Sequence, residues 1–106
     1  MRGRVLHLVS MQHADGSWRL SEELADVIGW RIADLLRRLV DFGEDSPESR
    51  DAWATAMALA WLERYGNDTR DEWELIAHKG HRWFDRLQDG RDTYRKLAFR
   101  AIEERG

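Results

Sequence analysis

Ala52-Trp53-Ala54-Thr55-Ala56-Met57-Ala58-Leu59-Ala60-Trp61-Leu62 is the stretch that decides the fold. It is apolar nearly all round, and a helix without a polar face belongs in the middle of a bundle. Its alternating alanines leave room for neighbouring helices to approach closely. The run is about half the roughly 20 residues that a membrane span needs, so it reads as a core helix. With Asp51 before it and Gly66 after Tyr65, the predicted central helix covers 51–65.

Helical periodicity continues on both sides of that element. Downstream, Asn67 to Arg70 reads as a loop, with Asp71 or Thr69 capping a fifth helix. Trp73, Ile76, Ala77, Gly80, Trp83, Phe84 and Leu87 share one broad face of it, and Gly90 is its expected stop. Gly80 inside a helix costs about 1 kcal/mol relative to alanine, which implies close contact with a neighbour. Tyr94, Leu97, Ala98, Ala101 and Ile102 form the stripe of a last helix, and Phe99 falls off it.

Upstream, Asp41 to Arg50 reads as a loop containing Pro47. Before it, Ile32, Leu35, Leu36, Leu39 and Val40 make one apolar stripe, with Arg31, Asp34, Arg37 and Arg38 turned away. Ser21 is a good N-cap for a short helix that stops at Gly29, and Glu22 and Glu23 suit the positive end of its dipole. Val5, Leu8, Val9 and Gln12 share one face of a first helix ending near His13. The expected architecture is all-α: a compact irregular bundle of about six helices forming a single domain over residues 1–106.

Composition narrows the function. The chain has 106 residues, a formal net charge of −3 and no cysteine. Disulfides and thiolate metal sites are excluded, and an acidic chain is a poor generic nucleic-acid binder. No signal-peptide pattern follows Met1, so a soluble cytoplasmic domain is expected. Arginine supplies nearly all the positive charge, which suggests a GC-rich bacterial genome. Six tryptophans are many for this length. Most should fill the core, leaving one or two as interface anchors.

The sharpest local motif is Gln12-His13-Ala14-Asp15-Gly16-Ser17-Trp18, with the pattern Q-x-x-x-G-x-W. Gln12 can bond carbonyls left open at a helix end, Asp15-Gly16 makes a turn, and Trp18 folds back on the apolar face. The pattern resembles a clasp repeated in triterpene cyclases, so Gln12, Asp15, Gly16 and Trp18 are expected to be structural. A fragment of such an α/α-toroid enzyme is the alternative reading, and weak nucleic-acid binding through Arg37 and Arg38 a lesser one. His78 and His81 lie three apart with Glu74 one turn earlier, but the H-E-x-x-H arrangement of zinc hydrolases is missing. No serine or threonine stands in a nucleophile elbow. No metal, cofactor or catalysis is therefore expected.

Three ordered blocks carry a wider resemblance: Leu8 to Gly29 with the Gln12–Trp18 motif, Ala52 to Leu62, and Glu72-Trp73-Glu74-Leu75 with Lys79-Gly80-His81-Arg82-Trp83. Together they resemble the C-terminal domain of proteins that carry a VIT domain and a von Willebrand factor A domain. A related region of the vault-associated poly(ADP-ribose) polymerase binds the major vault protein. The resemblance implies a non-catalytic docking domain whose partner is a vault-like shell protein or the VIT and von Willebrand domains of a parent chain. No nucleic-acid or membrane partner is expected, and the chain should be monomeric or weakly associating. Trp30, Arg31, Arg37, Arg38 and Phe99 are the expected docking residues. Trp30 follows a helix-ending glycine, Phe99 leaves its stripe, and aromatic and arginine side chains are enriched at interface centres.

Overall fold

The computed structural model describes residues 2–43, 45–87 and 93–105. Six α-helices follow in order: α1 (Arg2–Ser10), α2 (Glu22–Ile28), α3 (Ile32–Asp41), α4 (Pro47–Tyr65), α5 (Arg70–Asp85) and α6 (Thr93–Arg105). A 3₁₀ turn, Asn67–Thr69, joins α4 to α5. No strand occurs among the described residues, so the all-α expectation holds. The radius of gyration is 12.5 Å, close to the roughly 13 Å of a compact 100-residue domain.

Helix α4 is the axis. Every residue from Ala52 to Leu62 is buried, and α2, α3, α5 and α6 all pack on it. The most extensive pairing is with α6, which lays Tyr94, Ala98, Ala101 and Ile102 against it. Alanines on both helices bring the two backbones together. One continuous core joins Trp18, Trp53, Trp61, Trp73 and Phe84 with the aliphatic residues of every helix.

Several boundaries and faces differ from the sequence expectation. Helix α1 stops at Ser10 rather than His13, because Met11 and Gln12 donate to carbonyls three residues back and His13 N–H donates to the Ser17 carbonyl. Helix α4 begins at Pro47, four residues before Asp51. Ser46 caps it, its Oγ accepting from Ser49 N–H at 3.1 Å. Proline fits the first helical position, where its missing N–H would have no partner. Pro47 thus starts the helix instead of belonging to a loop.

Val40 is 60% exposed, since only the Leu35–Leu39 edge of α3 meets the bundle. Trp83 is half-buried, edge-on to Phe84, rather than fully in the core. Helix α5 ends at Asp85, and the expected stop at Gly90 lies outside the described residues.

Candidate docking surface

The clasp accounts for its four residues. Gly16 has φ +101° and lies against α5; a Cβ there would sit 2.5 Å from the Lys79 carbonyl oxygen. Gln12 Nε2 donates to the Gly16 carbonyl at 3.0 Å and to the Ile76 carbonyl at 2.9 Å. The second acceptor lies within α5, not at a helix end as the sequence suggested. Asp15 Oδ1 accepts from Ser17 N–H and Ser17 Oγ, and the Ser17 hydroxyl holds the carboxyl below its ordinary pKa.

Trp18 is fully buried. Its indole N–H donates to the Leu8 carbonyl at 2.9 Å, and its backbone N–H donates to Thr55 Oγ1 at 2.8 Å. Gly80 completes the clasp: a Cβ there would meet Leu59 at 3.1 Å and the Trp18 ring at 3.3 Å. This is the close contact that a helical glycine implied, formed with the loop as well as with α4.

A different arrangement surrounds Trp30. Gly29, at φ +78°, ends α2 and turns the chain, and Trp30 N–H donates to the Ala25 carbonyl at 2.9 Å. The expectation that Trp30 is exposed is corrected: only 6% of it is accessible. Two guanidiniums lie over its ring. Arg105 stands 4.2 Å and Arg38 5.2 Å from the ring centroid. No sequence pattern linked Arg105 to Trp30, because α6 reaches it only through tertiary packing.

Trp30 therefore forms part of an open groove of about 640 Å³ between α3 and α6. Asp34, Arg37 and Asp41 line it from α3, and Glu104 and Arg105 from α6. Its ion pairs are loose: Arg37–Asp34, along α3, at 3.8 Å, and Arg38–Glu104, from α3 to α6, at 3.7 Å. Arg31 is exposed at the N-cap of α3. Phe99 does not join it. It is 47% exposed and lines a separate depression with Arg95, Lys96, Arg100 and Glu103. Phe99 and Glu104 lie about 140° apart around a helix of 3.6 residues per turn. Of the five residues expected from sequence, Trp30, Arg37 and Arg38 line this groove, Arg31 is not among its walls, and Phe99 lies on another face.

The remaining candidates have local explanations. His81 is partly buried, and its Nδ1 accepts from Arg95 Nη1 at 2.9 Å. Burial, then the Arg95 charge, lowers its pKa. His78 is exposed on the same helix. Asp51 pairs with Arg19, and burial raises its carboxyl above the ordinary value despite that partner. The buried hydroxyls of Ser17, Ser49 and Thr55 serve the clasp and the α4 cap. No helix among the described residues is long and apolar enough to cross a membrane.

Comparison with known proteins adds a context to this geometry. No family model matches the chain. It is 37% identical over 79 residues to the von Willebrand factor A domain-containing protein 5A of Mus musculus, which covers 74% of this chain and 10% of the relative. The protein of the same name from Homo sapiens is 34% identical over 79 residues, again 74% of this chain and 10% of the relative. A von Willebrand factor A domain-containing protein of Dictyostelium discoideum is 30% identical over 86 residues, 73% of this chain and 4% of the relative. The chain thus spans a tenth or less of the length of these curated relatives. No solved structure matches it.

Proposed function

We propose that this chain is a non-catalytic docking domain that acts within, or alongside, a protein containing a von Willebrand factor A domain. The observation that carries the reading is the Trp30 groove. A large ring lies beneath two guanidiniums, with loosely paired charges along the walls. Aromatic and arginine side chains held this way are the usual anchors of protein interfaces. Such anchors bind by rigid docking, since the helices beneath them are fixed by the α4 core. The similarity to short segments of much longer von Willebrand factor A domain-containing proteins favours a module that serves a parent chain. Its partner is the VIT or von Willebrand region of that parent, or a vault-like shell protein of the kind bound by the related polymerase region.

The test is capture. The chain, as wild type and as Arg37→Glu and Arg38→Glu, is presented to the purified von Willebrand factor A domain of the mouse relative and to a vault-like shell protein. The reading expects one of the two to bind, and binding to fall at least tenfold with each charge reversal while the melting temperature stays within a few degrees. Binding of neither, or capture untouched by both reversals, sinks it.

A further inference from the structure

A second, smaller pocket opens on the other side of Trp30, and its chemistry is more one-sided. It holds about 210 Å³, below the roughly 300–1,000 Å³ of small-molecule sites, so its size suits a single side chain. Arg4, Trp30, Trp61, Tyr65 and Arg105 contribute its polar and aromatic walls, and no carboxylate side chain among the described residues lines it. Arg4 lies over the Trp61 ring at 5.5 Å from the centroid, as Arg105 lies over Trp30 at 4.2 Å. Neither guanidinium has a carboxylate partner among the described residues. Arg4 uses its Nε to donate to the Val27 carbonyl at 2.7 Å, which orients the group and leaves its terminal nitrogens without a hydrogen-bond acceptor among the described residues. Gly29 keeps that position open, since a Cβ there would come within 3.1 Å of Arg4 Nη2.

Two cations are therefore pre-positioned on tryptophan faces at the mouth of a pocket to which the described residues bring no counter-charge. Stacking on a ring holds a guanidinium without consuming its N–H donors, and a planar fork of donors matches a carboxylate. The acidic residues nearby, Asp34, Asp41 and Glu104, line the wider groove instead. They disfavour an anion there and direct it to the smaller pocket.

We propose that this pocket is a carboxylate site, which receives an aspartate or glutamate side chain from an acidic segment of a partner protein. The assignment rests on the docking reading for the source of that segment, and on the pocket alone for its charge. The probe is a hexaglutamate peptide, titrated into the whole chain at low salt by calorimetry, with hexaglutamine and inorganic phosphate as comparison ligands. Hexaglutamate should bind and hexaglutamine should not. Arg4→Gln and Arg105→Gln should each weaken binding about tenfold, the scale of one hydrogen bond to a charged group. Arg100→Gln, on an exposed face of α6, should leave binding unchanged. If Arg4→Gln fails to fold, Arg105→Gln decides alone. Absence of hexaglutamate binding, an equal loss in Arg100→Gln, or phosphate binding as tightly as the peptide would each overturn the proposal. Failure of both the von Willebrand domain and the shell protein to bind the wild-type chain would defeat the docking reading and leave this titration unaffected.

Discussion

Trp18 and Trp30 are both buried indoles next to a glycine-made turn, yet they are held in opposite ways. Trp18 is fixed by directional bonds: its ring N–H to Leu8, its backbone to Thr55, its ring edge against Gly80. Everything around it is helix or clasp, and nothing can leave without opening the core. Trp30 is covered in part by Arg38 and Arg105, flexible side chains from two helices whose ion-pair contacts are loose or lacking. A cation on a ring contributes about 0.5–1 kcal/mol at an exposed site, so such a cover can be exchanged for a partner's atoms. Burial alone therefore does not separate a structural tryptophan from an interface tryptophan. What separates them is whether the cover is made of backbone or of replaceable side chains.

The strongest way to break this contrast is to truncate both rings. Trp18→Ala should destabilise the chain by roughly 3–5 kcal/mol, since it opens a core cavity and strands the Leu8 carbonyl that the indole N–H serves. Trp30→Ala should fall at or below the bottom of that range, about 2–3 kcal/mol, because water and two arginines can fill the space it leaves. Denaturant melts of both variants measure the gap. Equal losses would mean that the arginine cover is as rigid as the clasp.

Gly16→Ala probes the clasp without touching a ring. The new Cβ would combine a φ of +101° with a 2.5 Å approach to the Lys79 carbonyl oxygen. A loss of about 2 kcal/mol is expected, in the range of a strained backbone position. A melt indistinguishable from wild type would show that the loop can move off α5.

Acid sharpens the comparison further. Asp15 has a folded pKa below its ordinary value, mainly because Ser17 Oγ donates to the carboxylate. Its stabilising contribution is therefore complete above the unfolded value near 3.9 and is lost as pH falls through the lower folded value. Melting temperature followed from pH 5 to pH 2 should fall less steeply in Asp15→Asn than in wild type. Parallel curves would remove the Asp15–Ser17 bond from the clasp's acid response.

The smallest expected effect is at the rim of the groove. Arg37 is exposed and only loosely paired with Asp34, so Arg37→Glu should change stability by no more than about 0.5 kcal/mol. A thermal shift well beyond that would place Arg37 in the fold's framework rather than on its surface.

Much of this was legible in the chain itself. The wholly apolar 52–62 run marked the central helix, Ser21 and Gly29 bounded α2, and Gln12–Trp18 announced a clasp. The errors have specific causes. Pro47 reads as a loop residue beside Gly43 and the acidic residues, although its ring suits a helix start. Val40 lies on the α3 stripe yet is exposed, because periodicity gives a stripe but not how wide a neighbour covers it. Trp30 followed a glycine and lacked a periodic partner, so it read as exposed; Arg38 and Arg105 cover it from helices 8 and 75 positions away in number.

What the sequence by itself determined, then, is local: helix periods, caps, the turn at Gly16, and a core rich in tryptophan. These follow from interactions among residues within a few turns of one another, which a linear pattern records. Only the tertiary structure decided that Gly80 seats the Trp18 ring, that α6 brings Arg105 onto Trp30, and that Arg4 faces the same pocket over Trp61. Those pairings depend on how helices cross, and crossing is set by the packing of whole faces against α4, for which no single segment carries the information.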